Sequence, residues 1–269
     1  MQGLDLTNYE IIRPIWSGAS KTIYEGIDKR TGFRSAISIY KNYSLLETLK
    51  KRIVDGSTLP ILNLKHKNIN TELDLILGQE VFAITNDFLE GKNLSDLLES
   101  TDNLDFKEIK QIIMQILDGF EYAHKNGFIH GELNPSKIFI QNDGIIKILG
   151  FEKRILFGIH NDNFKGARIF ISPEEFLQGQ NSIDQISDIY HIGLILYNLI
   201  TGIRPNFHCG FRNPDNYIFG PFPEFNFQNS WKNIEFIIKK SCALKKDDRY
   251  KSVSDLRISI EDYFTNNSV

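Results

Sequence analysis

Alternating apolar and polar positions dominate the first third of the chain. Tyr9 to Trp16, Thr22 to Asp28 and Ser35 to Tyr40 are short runs rich in β-branched and aromatic residues. They are separated by Ser17-Gly18-Ala19-Ser20-Lys21 and by the turn Lys29-Arg30-Thr31-Gly32, a pattern that predicts three strands. Residues 72–77 and 80–86 predict two more. Over residues 44–54, Leu45, Leu46, Leu49 and Ile53 recur at helical spacing until Gly56 and Pro60 interrupt the pattern. From residue 93 the period is helical: a short helix at Leu94–Glu99, then a long one at Phe106–Asn126 with Ile109, Ile112, Ile113, Ile116, Leu117 and Phe120 in one wide stripe. Ser187 to Thr201 is helical and almost wholly apolar, as suits a helix at the centre of a lobe. Trp231–Ala243 and Ser252–Phe264 are amphipathic, and Ser252 with Asp255 fits a capping box. The expectation is an α+β chain with a strand-rich lobe at residues 1–88 and a helical lobe at 89–269, hinged near Asp87-Phe88-Leu89.

Composition narrows the class. A chain of 269 residues with 41% hydrophobic content can bury an ample core. A net charge of −3 gives no reason to expect nucleic acid as a partner. Cys209 and Cys242 are too few for a disulfide framework. Residues 1–10 have neither a basic start nor an apolar run, so no signal peptide is expected there. Ile189–Ile200 is too short and too polar to span a bilayer. A cytoplasmic protein, or a domain cut from something longer, is expected.

Motifs then carry the reading further. His130-Gly131-Glu132-Leu133-Asn134-Pro135-Ser136-Lys137 resembles a degraded H-R-D-L-x-x-x-N loop. The turn Asp143-Gly144 and the strand 145–149 lead into Gly150-Phe151-Glu152, in the place of D-F-G. Phe88-Leu89-Glu90-Gly91-Lys92-Asn93-Leu94 resembles a kinase hinge, with Asn86 as gatekeeper. Ser172-Pro173-Glu174 resembles A-P-E, and Ser187-Asp188-Ile189-Tyr190-His191-Ile192-Gly193 the start of the central helix of the large lobe. Lys245-Lys246-Asp247-Asp248-Arg249-Tyr250 resembles K-D-P-x-x-R-Y. Six motifs in order resemble the protein kinase fold, and the last two are closest to bacterial Ser/Thr kinases. The resemblance implies a bilobal fold in which Glu174 pairs with Arg249, Asp188 caps the catalytic loop, and His130 and Phe151 stack in a hydrophobic spine below Ile61.

The chemistry departs from the frame. Phosphoryl transfer rests on positioning and charge neutralisation, so few groups are required. The lysine of V-A-I-K is Ser38, and its glutamate partner is Ser57. The catalytic aspartate is Glu132, whose extra methylene moves the carboxylate by about 1 Å, an error that can cost roughly 10²-fold. The metal-binding asparagine is Lys137, and the D-F-G aspartate is Gly150, which has no ligand atom for a hard cation. No metal site is expected. The glycine-rich loop G-x-G-x-x-G reads Trp16-Ser17-Gly18-Ala19-Ser20-Lys21 and keeps one glycine of three. Gly150 to Ile171 contains no Ser, Thr or Tyr, and the arginine that would receive a phosphate is Gly131, so switching by loop phosphorylation is not expected. Phe139 either fills the adenine space or turns into the lobe core.

These departures imply a catalytically inactive pseudokinase that binds a protein partner, an active kinase or another signalling protein, as a scaffold or allosteric module. No cofactor is expected, though ATP without metal stays open. Any nucleotide site would draw on Gly18, Lys21, Ala36, Asn86, Phe88, Phe139 and Glu152. The alternative is a divergent transferase with Lys21 and Lys137 as cations and Glu132 or Glu152 as acid/base or metal ligand. Lys21 corresponds to the loop lysine of the with-no-lysine kinases. Those enzymes keep both aspartates, so Lys21 is expected here as a solvated strand residue.

Overall fold

In a computed structural model, the chain is described over residues 4–19, 21–56, 64–70, 72–100, 104–157, 170–205 and 232–267. The first lobe is a five-stranded antiparallel sheet. Its strands are β1 (Tyr9–Ser17), β2 (Lys21–Asp28), β3 (Arg34–Tyr40), β4 (Glu72–Leu77) and β5 (Phe82–Asp87), in the order β1-β2-β3-β5-β4. Directly opposed residues on neighbouring strands share a face, and faces alternate along each strand. Lys21 lies opposite Tyr40, Ile23 opposite Ser38, and Glu25 opposite Ala36, so these six share one face. On that face Tyr40, Phe82 and Ile84 pack with Leu46 and Leu49 of α1 (Tyr43–Val54). Ile37 and Ile39 point the other way and cluster with Tyr9 and Ala83. Asn42 caps α1 by accepting a hydrogen bond from the Leu45 amide at 3.1 Å, and Lys51 and Arg52 oppose the helix dipole in the last turn.

The second lobe is mostly helical: α2 (Leu94–Ser100), α3 (Phe106–Lys125), α4 (Phe151–Phe157), α5 (Pro173–Gln178), α6 (Gln185–Thr201), α7 (Lys232–Ser241) and α8 (Val253–Asn266). A small sheet, β6 (Gly91–Asn93), β7 (Ile138–Gln141) and β8 (Ile146–Ile148), lies beside them. The apolar stripe of α3 and nearly the whole of α6 are buried in one cluster that includes Ile238, Leu256, Ile260 and Phe264. The arrangement is the two-lobed α+β fold expected from the sequence. None of the described helices is long and apolar enough to cross a membrane.

Several elements differ from the sequence reading. The central helix begins two residues early, at Gln185, because Asp184 caps it and its side chain accepts hydrogen bonds from the amides of Ile186 and Ser187. The hairpin joining β4 and β5 closes with the Gly78 amide on the Val81 carbonyl at 2.9 Å, which moves the start of the strand to Phe82. Ser252 accepts from the Asp255 amide, but Asp255 takes the Ser252 hydroxyl proton rather than the backbone amide, so only half of a capping box forms. The full boxes are on α3, from Asp105 and Glu108, and on α6, from Asp184 and Ser187. α4 and α5 have seven and six residues, too few for a helical period to be legible.

Candidate functional site: the cleft between the lobes

The hairpin joining β1 and β2 is closed by the Gly18 amide on the Lys21 carbonyl at 2.9 Å. The indole of Trp16 lies directly against Gly18, where any Cβ would collide with its ring. Lys21 is half-buried rather than solvated. Its Nζ reaches the Tyr40 hydroxyl at 3.4 Å and stands 5.2 Å from the ring centre. That ring stacks on Phe82 with centroids 4.6 Å apart, so Lys21 caps an aromatic pair instead of extending into water. Ser38 is buried in β3 with a neutral hydroxyl, and Ala36 opposes Asn86 across the β3–β5 ladder.

At the hinge, the Arg34 guanidinium stacks on Phe88 at 4.0 Å, and the Arg34 carbonyl accepts the Phe88 amide. Arg34 also donates to Glu25 at 2.6 and 2.9 Å and pairs with Glu90. Hydrogen bonds from Arg34, strengthened by the charges of Arg34 and Arg13, hold the Glu25 carboxyl below its ordinary range against the opposing effect of desolvation. None of these arginine contacts was foreseen.

The loop at residues 130–137 is held from beneath by Asp188, a fully buried carboxylate at the start of α6. It accepts the His130 amide at 2.9 Å, the Gly131 amide at 2.7 Å and His124 Nε2 at 2.9 Å. Burial by itself raises an acid's pKa, but the hydrogen bond and charge of His124, with the loop amides, keep Asp188 below the usual value. The Glu132 amide donates to His130 Nδ1 at 3.1 Å, so Nδ1 accepts and the Nε2–H donates to the Leu149 carbonyl at 3.0 Å. Burial pushes the pKa of His130 down, and its neutral ring joins an aromatic stack. Phe151 lies 4.8 Å from His130, and Phe120 lies 5.4 Å from Phe151. Ile61 and Ser57 lie outside the described residues.

Asn134 folds back to accept from the amide and hydroxyl of Ser136, opening a single 3₁₀ turn at Pro135–Lys137. The Lys137 carbonyl then takes the Leu149 amide at 2.8 Å, which brings Lys137 beside Gly150. Gly150 has φ +107°, and a Cβ there would stand 3.6 Å from Lys137 Cδ and 3.6 Å from His130 Nε2. Thus the two positions that would hold metal oxygens present an alkyl stem and no side chain. Among the described residues no group of three His, Cys, Asp or Glu gathers as a metal site. Phe139 is half-buried on β7 between Ile138 and Ile140, both of which pack into the large-lobe core, so alternation turns Phe139 away from that core.

Further from the cleft, Glu174 accepts two hydrogen bonds from Arg249, at 2.9 and 2.7 Å, and one from Ser187 at 2.6 Å. Arg249 also donates to the carbonyls of Ala243 and Leu244 and lies over Tyr190 at 4.8 Å. Glu152 stands half-buried in the first turn of α4. On the same helix, Arg154 donates to the carbonyls of Gln180 and Ile183, and Leu156 enters the small-lobe cluster of Tyr40, Leu46, Leu49, Phe82 and Ile84. Neither was anticipated, because contacts between segments distant in the chain leave no local periodic signal.

The family model described as protein kinase domain matches residues 9–220 of the chain. A probable serine/threonine-protein kinase of Clostridium perfringens is 26% identical over 202 residues, covering 73% of this chain and 29% of that protein. The serine/threonine-protein kinase PrkC of Bacillus subtilis is 25% identical over 268 residues, covering 95% of this chain and 40% of that protein. The probable serine/threonine-protein kinase PknB of Lactococcus lactis is 28% identical over 202 residues, covering 73% and 32%. The chain therefore spans well under half the length of these relatives.

Proposed function

The chain belongs to the protein kinase domain family, and from that premise we propose that it is a catalytically inactive member, a pseudokinase that acts by binding a protein. The observation that carries this reading is the pairing of Gly150 with Lys137. Mg²⁺ requires oxygen ligands in near-octahedral geometry. Here one ligand position has no side chain, and the other holds a lysine whose stem lies beside it. Ser38 adds a third loss, since a buried hydroxyl supplies no charge to neutralise phosphates. A fold held by Asp188, the Glu174–Arg249 pair and the His130–Phe151 stack keeps its shape without that chemistry.

The partner is a protein, an active kinase or another signalling protein, which reads the kinase-shaped surface. That role requires no cofactor, and a nucleotide taken by this cleft would be ATP without metal. The rival reading, a transferase with relocated cations, has less support. Lys21 Nζ is engaged with Tyr40, and the carboxylate chemistry would fall to Glu132 or Glu152 alone.

Thermal unfolding with ATP, titrated with and without Mg²⁺ or Mn²⁺, tests the reading. A ligand of the folded state raises the midpoint with concentration. Inactivity predicts no shift, or one that is the same with and without metal, and no phosphate transfer to casein or to the chain itself. A shift that requires metal, together with transfer from labelled ATP, overturns it.

A further inference from the structure

Three side chains of α4 are anchored in three different places. Phe151, the first residue, stacks on His130 and Phe120. Arg154, three residues on, donates to the carbonyls of Gln180 and Ile183 at 3.4 and 3.2 Å, just before the Asp184 cap of α6. Leu156, two residues further, is 1% exposed and packs into the small-lobe cluster of β3, β5 and α1. A seven-residue helix is about 10 Å long. Over that length this one passes from the aromatic stack of the large lobe to the core of the small one.

The seat of Arg154 exists because residue 131 is glycine. Gly131 has φ +74°, a conformation that favours glycine, and its amide is held by Asp188. The point where its Cβ would stand is 3.3 Å from Arg154 Nη1 and 3.2 Å from Ile183 Cγ2. A long side chain at residue 131 would have to displace the guanidinium. The arginine that the H-R-D pattern places in this loop is absent from it, and an arginine from α4 stands beside the gap. Gly131 and Arg154 are two halves of one arrangement.

We propose that α4 is a bolt between the lobes, seated in the large lobe by Arg154 against Gly131 and in the small lobe by Leu156, and that it holds the cleft in one arrangement without phosphorylation. The lobes cannot part without drawing Leu156 from the small-lobe core or Arg154 from its two carbonyls. The bolt acts whether or not the cleft takes a nucleotide, so its failure and the failure of the pseudokinase reading are separate results.

Hydrogen–deuterium exchange on the full chain tests it, with Arg154→Ala, Leu156→Ala, the double variant, and Ile258→Ala, an exposed position on α8, as control. A bolt released at either end is released altogether. Both single variants are expected to speed exchange in α1 and α4 by tenfold or more, the double variant by little more than either, with α3 and α6 unchanged. Arg154→Ala removes no core side chain and carries the test alone if Leu156→Ala fails to fold. Unaltered α1 exchange in Arg154→Ala, or strictly additive effects in the double variant, overturns the proposal.

Discussion

The side chain of Lys137 lies along the spot that an aspartate would fill, its Cδ 3.6 Å from the point where residue 150 would carry a Cβ, and residue 150 is a glycine. Cation and vacancy adjoin, so a single reversion cannot rebuild a metal site. Restoring the carboxylate alone would set it against an ammonium group, and replacing the lysine by asparagine alone would leave residue 150 without an oxygen.

The first prediction follows from that neighbourhood. Gly150→Asp or Lys137→Asn alone gives no Mg²⁺-dependent stabilisation by ATP, whereas the double variant does. A Cβ at residue 150 makes ordinary 3.6 Å contacts, although φ of +107° costs an aspartate there about 1–3 kcal/mol. At 100-fold excess over Kd, a bound ligand adds about 2.7 kcal/mol, which a melting curve resolves. An unshifted melting curve for the double variant would mean that Ser38 or the loop around Trp16 blocks binding first.

Breaking the Arg249–Glu174 pair is expected to be costly. Both side chains are nearly closed to solvent, and Arg249→Ala strands a buried carboxylate, for a loss of about 3–5 kcal/mol in urea unfolding. Glu174 is held at a pKa of about 2, where the bonds and charge of Arg249 outweigh the desolvation that would raise it. Its folded pKa lies below its ordinary value of 4.5. The stabilisation is therefore complete above pH 4.5 and is lost as the pH falls from there toward 2. Glu174→Gln should remove that part of the acid dependence.

Gly193 on α6 sets how closely α7 approaches. A Cβ there would stand 2.6 Å from Cys242 Sγ and 2.7 Å from Ser241 Cβ, atoms tied to the end of the neighbouring helix. Gly193→Ala is predicted to destabilise by about 1–3 kcal/mol, even though alanine is the better helix former by about 1 kcal/mol. The thermal midpoint should drop, and an unchanged or higher midpoint would show that α7 shifts freely.

His191 predicts a second pH effect. It is fully buried on α6, and among the described residues neither ring nitrogen has a hydrogen-bond partner. Burial lowers its pKa to about 4 from an ordinary 6.5. The unfolded chain therefore takes up the proton first, and stability falls as the pH drops from 6.5 to 4, by up to about 3 kcal/mol, and then levels. His130 is shifted in the same direction by burial, so His191→Leu should reduce the slope in chemical unfolding between those pH values without abolishing it. Equal slopes in the two proteins would place His191 in contact with water.

Much of the frame was legible because it is written in local patterns. Strand alternation around Ile37 and Ile39, the stripe from Ile109 to Phe120 and the apolar run through α6 each state their own period. Ser38, Lys137 and Gly150 were legible as residue identities, and the structure adds where Lys137 and Gly150 stand relative to each other. Lys21 was misjudged, because strand position says nothing of the Tyr40–Phe82 stack that receives it.

The sequence by itself determined which elements form and which reactive groups are missing, since both depend on residue type and short-range spacing. The tertiary structure alone decided which distant residues meet. It set Arg154 beside Gly131, 23 positions apart in the chain, and carried Leu156 into a cluster built by β3, β5 and α1. Such contacts arise when distant segments bury apolar surface and pair polar groups together, and no period along the chain encodes which segments meet.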